Sequence, residues 1–320
     1  MNVKEKILFV INPISGTRNK RDMVSQIQQH LDFGRYEADF RLTERAGHAS
    51  ELASEASRSG YAIVVAVGGD GTINEVARSI VRTPTALGIV PCGSGNGLAR
   101  HLHIPMQLKG AVDIINQGVV HNLDYGTIND HPFFCTCGVG FDAFVSQKFS
   151  ESGKRGFLSY IEKTLREGIR YKSETYTIDF DGHQERQQAF LIACANASQY
   201  GNNAYIAPGA SMKDGLMDVI VMEPFYTVEA PQVIMQLFTK SLPHNPHVRV
   251  RQASQICITR PAEGAVHCDG DPMVMGKEIN VKIHHGCFRV VVRPDGFVTK
   301  HRHPLRTFAD ICTETLGIHR

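Results

Sequence analysis

The run Ala62-Ile63-Val64-Val65-Ala66-Val67 passes directly into Gly68-Gly69-Asp70-Gly71-Thr72. An unbroken apolar run of this length predicts a strand buried on both faces, as in a parallel sheet. Ile73, Val76, Ala77, Ile80 and Val81 then recur at helical spacing. Thr72, with Glu75 three residues on, reads as a capping box and places the helix start at Thr72. The glycines therefore occupy a strand-to-helix turn, where backbone N–H groups and a helix N-terminus face whatever binds there. A phosphate is the ligand this geometry favours, and Gly71 reads as a position of positive φ that meets phosphate by its backbone.

The turn is not one of the commoner phosphate loops. G-x-x-x-x-G-K-[ST] is absent, and the nearest approach to G-x-G-x-x-G, Gly69-Asp70-Gly71, continues as Thr72-Ile73-Asn74. Asp70 places a carboxylate among phosphate-cradling amides, which repels phosphate unless a cation such as Mg²⁺ stands between them. A tight turn with a solvated Asp is the plainer alternative.

Upstream and downstream, strand and helix patterns alternate. Ile7 to Ile11, Tyr36 to Leu42 and Thr85 to Val90 read as strands, with helices after Met23 and from His48 to Ser59. Repeated βα units predict a parallel sheet whose ligands sit beyond the carboxyl ends of its strands. The loops Asn12–Gly16, Gly68–Thr72 and Gly93–Gly97 should converge there. From Asp124 onward period-2 segments dominate: Thr175–Phe180, Val248–Arg251, Ile279–Ile283 and Phe288–Val292. This half reads as an antiparallel sandwich, with Asp181-Gly182 turning Thr175–Phe180 back onto Ala189–Ala195. Helices are expected at Phe157–Arg170 and Val228–Ser241, and a final one carrying Leu305, Phe308, Ile311, Cys312, Thr315 and Leu316. The division is thus 1–123 for an α/β domain and 124–299 for a sandwich.

Composition narrows the function classes. A net charge of +2 over 320 residues supplies no global basic field for nucleic acid. The 8 cysteines contain no C-x-x-C and read as free thiols in a reducing cytoplasm, and the 15 histidines lack metal-ligand spacing. Ile7–Ile11 is too short for a signal peptide, and no apolar stretch reaches membrane-spanning length. One local excess stands out. Lys148, Lys154, Arg155, Lys163, Arg166, Arg170 and Lys172 face only Glu151, Glu162 and Glu167, interleaved with Phe149, Phe157, Leu158, Tyr160 and Ile161. Such a stretch suits an anionic membrane surface, or else forms an ordinary helix with a solvated basic face.

Gly68-Gly69-Asp70-Gly71-Thr72-x-Asn74-Glu75-Val76 resembles the signature of the diacylglycerol kinase catalytic-domain family, which includes sphingosine kinases and bacterial soluble lipid kinases. Asn12-Pro13-x-Ser15-Gly16 and Pro91-x-Gly93-Ser94-Gly95-Asn96-x-Leu98-Ala99-Arg100 resemble two further family motifs, in the expected order. The resemblance implies an N-terminal domain like those of phosphofructokinases and NAD kinases, completed by the last segment, 300–320. It implies ATP as phosphoryl donor, with Mg²⁺, and a cytoplasmic enzyme that visits the membrane peripherally; a homodimer is left open. Nucleotide contacts would fall on these three motifs and on Thr43. A structural Mg²⁺ would take Asp214 with carbonyls at Ser211 and Leu216, and Asp124 and Asp70 would be networked with that metal or with the nucleotide. Without the resemblance, Asp214-Gly215 reads as a β-turn. Asp269-Gly270-Asp271 matches the family's Asp-Gly-Glu, the acid–base pair that would deprotonate a lipid hydroxyl, with Asp271 one methylene shorter than the usual Glu. An Asp-Gly hairpin turn is the alternative there. The expected function is phosphorylation of a diacylglycerol-like or sphingoid lipid. Rival readings are a small-molecule kinase using NAD on the same scaffold, and a nucleotide sensor without catalysis.

Overall fold

Strands β1 (Glu5–Ile11), β2 (Tyr36–Leu42), β3 (Ile63–Gly68) and β4 (Ala86–Pro91) lie parallel in the spatial order β2-β1-β3-β4. β3 and β4 are buried at every residue, whereas β2, at the sheet edge, is largely open. Apolar runs are what a strand needs when helices cover both its faces. α1 (Met23–His30) and α5 (Leu108–Gln117) cover one face, and α2 (His48–Arg58) and α3 (Asp70–Ile80) the other. A short α4 (Gly97–His101) follows the third glycine loop. The computed structural model describes residues 4–14, 22–152, 171–180 and 182–294. The tripeptide Asp32-Phe33-Gly34 turns the chain between α1 and β2, where Asp32 Oδ1 accepts from the Gly34 and Arg35 N–H groups.

The remaining strands form the sandwich. They are β5 (Val119–Ile128), β6 (His131–Phe133), β7 (Thr136–Gly140), β8 (Glu174–Phe180), β9 (His183–Ala189), β10 (Leu191–Ala195), β11 (Met217–Met222), β12 (Val248–Ala253), β13 (Gln255–Thr259), β14 (Gly264–Cys268), β15 (Asp271–Met275) and β16 (Glu278–Val292). One sheet has the order β12-β11-β10-β7-β14-β15; the other continues the parallel strands as β4-β16-β13-β8-β9, with β5 and β6 on the opposite side of β16. Alternate residues from both sheets, among them Cys137, Val139, Ile192, Val219, Val266, Ile178, Ile258 and Val281, fill the space between them. Helices α6 (Phe141–Ser152) and α7 (Ala230–Thr239) accompany the six-stranded sheet, and Phe141, Val145, Val233 and Leu237 join the apolar cluster containing Leu191, Ala193 and Ile220.

The expected α/β domain and antiparallel sandwich are both present. The division expected at 123/124 falls inside β5, and β16 runs through both halves: Lys282 pairs with Gln255, and Val290 with Leu87 of β4. The sequence pattern read β16 as two strands because its pairing register shifts between His284 and Phe288. The hairpin is also re-assigned. Thr175–Phe180 pairs with His183–Ala189, not Ala189–Ala195, and the chain changes sheet at Phe190. His183–Ala189 is polar at nearly every position because β9 is an edge strand open to solvent. Asp181, the helix expected at Phe157–Arg170, and the segment 300–320 with the final helix expected there lie outside the described residues.

The capping box is likewise corrected. α3 starts at Asp70 with Gly69 as N-cap, and no side chain caps it. Glu75 instead reaches the N-terminus of α2, where its two oxygens accept from the N–H groups of Gly47 (3.0 Å) and Ala49 (3.2 Å). A carboxylate at that end also meets the positive pole of the helix. Glu75→Ala should therefore lower unfolding stability by about 1–3 kcal/mol, since two charge-assisted bonds to backbone donors are lost. Urea unfolding followed by circular dichroism checks this; an unchanged midpoint would mean α2 is held by its apolar face alone.

Candidate active site

At the carboxyl ends of β1, β3 and β4 the second and third glycine loops meet each other, and the described part of the first, residues 12–14, reaches the second through Asn12. Asn12 ties the first to the second: its N–H donates to the Val67 carbonyl (3.0 Å) and its Nδ2 to Thr72 Oγ1 (3.1 Å). Pro13 is exposed beside it, and Ser15 and Gly16 lie outside the described residues. Thr43 closes the rim, buried, with its N–H on the Ile11 carbonyl (2.9 Å). The second and third loops touch backbone to backbone. A Cβ on Gly93 would stand 2.7 Å from Gly69 Cα, and one on Gly95 would stand 2.6 Å from Asp70 Oδ2. Gly68 is equally constrained, by Thr72 Oγ1 at 2.5 Å from its missing Cβ.

Asp70 is the clamp between these loops. Its Oδ2 accepts from Asn96 N–H and its Oδ1 from Gly97 N–H, each at 2.7 Å. Desolvation lifts this carboxyl above its ordinary range; the N–H groups of Gly97 and Asn96 oppose that rise. Asn96 has φ +50°, accepts from the Gly93 N–H and donates to the Gly93 carbonyl. Ser94 projects from the loop, exposed, and Asn74 is buried on α3. Gly71 differs from its neighbours. It lies in the first turn of α3 without the positive φ expected of it, and an added Cβ would meet no atom of the described residues outside its own turn within 4 Å.

The opposite wall is the β14–β15 hairpin. Cys268 pairs with Asp271, which makes Asp269-Gly270 a two-residue turn with φ of +51° and +87°. Positive φ at both positions is the turn type Asp-Gly favours, so the turn reading and the site reading describe the same residues. Asp269 accepts from the N–H groups of Phe134 (2.9 Å), Cys135 (2.7 Å) and Thr136 (3.1 Å). Asp271 points outward, its side chain 60% exposed, with Oδ2 3.6 Å from Arg78 Nη2. Removal of water by the surrounding walls raises the Asp271 carboxyl, Arg78 pulls it down, and Asp70 and Glu75 push it up. The influence of Asp70 and Glu75 places Asp271 within electrostatic reach of the α3 N-terminal turns.

The expected cation residues sit behind the β5–β16 junction. Asp124 is fully buried and accepts from Gly215 N–H (2.8 Å), Gly286 N–H (2.7 Å) and His285 Nδ1 (2.8 Å). Its oxygens are thus engaged by protein donors, and it braces the Ser211–Leu216 loop. Asp214 is exposed, with Oδ1 accepting from Leu216 N–H (3.1 Å). Asp214 is the exposed carboxylate of the Ser211–Leu216 loop, the kind of oxygen donor that a hard ion such as Mg²⁺ takes. Among the described residues no three His, Cys, Asp or Glu side chains converge as a metal cluster.

Two features escaped the sequence reading. Arg78 follows Asp70 and Asn74 at helical spacing, a signal available in the sequence. A buried polar cluster forms beside the hairpin, where Asp142 Oδ2 meets His267 Nε2 (2.9 Å) and Tyr200 Oη (3.2 Å). Its members are far apart in sequence and carried no local signal.

Residues 6–128 match the diacylglycerol kinase catalytic domain, and residues 135–292 match the YegS C-terminal NAD kinase beta sandwich-like domain. The chain belongs to the diacylglycerol kinase catalytic-domain family. This family member is 27% identical over 285 residues to a diacylglycerol kinase of Bacillus subtilis, covering 86% of this chain and 93% of that one. It is 30% identical over 253 residues to an uncharacterized protein of Synechocystis, covering 74% of this chain and 58% of that longer protein. Two solved structures from Bacillus anthracis share the fold. One has TM-score 0.77 at 22% identity over 91% of this chain and 96% of that one. The other, described as a diacylglycerol kinase, has TM-score 0.73 at 19% identity over 91% and 98%. Among the described residues no helix is long and apolar enough to cross a membrane.

The family's hairpin carboxylates thus differ in setting. Asp269 keeps a partial opening to the cleft but is crowded by protein, and desolvation raises its carboxyl from 3.8 to about 6 despite its three N–H donors. Below both values the folded and unfolded chains are protonated alike; between them the folded chain holds the extra proton. Asp269 therefore contributes stability at low pH that is lost as pH rises through about 6. Thermal midpoints of wild type and Asp269→Asn should draw together, or diverge in favour of the mutant, from pH about 4 to about 6, and run parallel above. A difference independent of pH would show that Asp269 titrates as an ordinary carboxyl.

Proposed function

We propose that the chain is an ATP- and Mg²⁺-dependent lipid kinase that transfers the γ-phosphoryl group to the hydroxyl of a diacylglycerol-like or sphingoid lipid. The observation that carries this reading is the open space over Gly71 at the N-terminus of α3, with the exposed Asp271 carboxylate across the cleft. The first offers backbone donors and a helix pole to a phosphate. The second offers a proton acceptor to an alcohol. Asp271 would take the hydroxyl proton as the oxygen lone pair forms the new P–O bond, and the bond to the leaving ADP oxygen breaks. Asp269 would hold the hairpin through its three N–H bonds. Mg²⁺ would sit with Asp214 and the loop carbonyls, neutralising charge near the domain junction. Names of relatives such as the Bacillus subtilis diacylglycerol kinase support a lipid acceptor.

Because such a lipid lives in a bilayer, the reading includes peripheral contact with an anionic membrane through Lys148–Lys172, most of which lies outside the described residues. Incubation with labelled ATP, Mg²⁺ and micelles of candidate lipid alcohols should yield a phospholipid by chromatography, while NAD should remain unmodified. Asp271→Asn should lower kcat by about 10²–10⁴ with the ATP KM nearly unchanged. Product from NAD alone, or full activity in the mutant, would overturn the assignment.

Gly71 provides a separate check on the nucleotide side. Helical alanine is favoured over glycine by about 0.5–1 kcal/mol, and an added Cβ meets no atom of the described residues outside its own turn, so Gly71→Ala should fold with equal or greater stability. ATP affinity by calorimetry should nevertheless fall by about tenfold or more, because the methyl group occupies the ligand's space. Unaltered affinity would place the phosphates elsewhere.

A further inference from the structure

We infer that Arg78 is a positioning residue for Asp271, holding the carboxylate across the cleft and keeping it ionised for proton transfer; the catalytic part of this rests on the lipid-kinase reading. Asp70, Asn74 and Arg78 are spaced by four and share one face of α3. Side chains on a helix lean toward its N-terminus, so Arg78 reaches back toward the glycine turn. Its Nη2 lies 3.6 Å from Asp271 Oδ2 and 3.7 Å from Cys268 Sγ, on the strand that enters the hairpin.

The geometry is wrong for a stabilising strut. An Arg–carboxylate pair that serves the fold is short and two-pronged, about 2.7–2.9 Å per bond. This one is single and long, its thiol contact is weak, and Arg78 Nε is buried with no acceptor among the described residues. An unpaired buried donor is destabilising, so folding does not explain why a guanidinium stands here. What the placement does achieve is charge balance at Asp271. Asp70 and Glu75 of α3 both disfavour its ionisation, as does loss of water, while Arg78 favours it. The other charged and titratable neighbours are Asp269 and Cys268 of the hairpin itself; α6, which packs on it, carries Asp142, bonded to His267, and the exposed Lys148.

The test uses the full chain with Arg78→Gln and Arg78→Lys. The acid limb of the kcat–pH profile should move up by about one unit in Arg78→Gln, and stay near wild type in Arg78→Lys, where a cation remains. Carbon-13 NMR of the Asp271 carboxyl, identified by its loss in Asp271→Asn, should show the same upward shift without any substrate. If Arg78→Gln misfolds by circular dichroism, Arg78→Met, which keeps the aliphatic stem, takes its place. An unmoved limb and an unmoved carboxyl titration in a folded variant would overturn the inference. A wild-type protein inactive on every lipid alcohol would defeat the lipid-kinase reading instead, and the substrate-free titration would still decide whether Arg78 sets the charge of Asp271.

Discussion

Carboxylates accepting backbone N–H groups hold this site together. Asp70 fastens the α4 loop to α3, Glu75 fastens α2 to α3, Asp124 fastens the Ser211–Leu216 loop to the β16 bulge, and Asp269 fastens the hairpin to Phe134–Thr136. Glycine loops have high conformational entropy and few side-chain contacts of their own. An anionic oxygen that takes one or two amides fixes such a loop at a single point, and each bond is stronger than a neutral one. Acidic residues that motif reading assigns to phosphate, metal or proton chemistry thus act first as fasteners. Asp271, by contrast, points outward, and its partner is an arginine rather than an amide.

This division leaves the loops fixed in place while part of their surface stays open. Gly68, Gly69, Gly93 and Gly95 are glycines because protein atoms crowd the place where a Cβ would be. Gly71 has no such neighbour among the described residues. The first group makes the turn, and the last leaves its surface clear. A sequence alone presents all five as one glycine-rich stretch pair, with no means to tell packing from access.

Legibility followed the range of the interaction. β3, β4 and their loops were readable because an apolar run, a glycine turn and helical spacing are all local. The period-2 segments gave the sandwich for the same reason. β9 was missed because an edge strand can be polar throughout, as His183–Ala189 is. β16 looked like two strands because a bulge interrupts its period. Glu75 was assigned to its own helix end, since a capping box is a local pattern, yet its partners lie 26 and 28 residues away. Asp142, His267 and Tyr200 meet only through sheet packing, beyond the reach of any spacing rule.

The long strand β16 also bears on how the chain is assembled. The last strand among the described residues supplies the neighbour of β4, whose other edge is already taken by β3. Until residues near Val290 emerge, the growing parallel sheet ends in a wholly apolar strand with one side unpaired. Contacts spanning about two hundred residues are slow to form, and an open apolar edge invites pairing with other chains meanwhile. In a chain made from the N-terminus, the free edge of β4 is therefore filled after the sandwich strands that precede β16 in sequence.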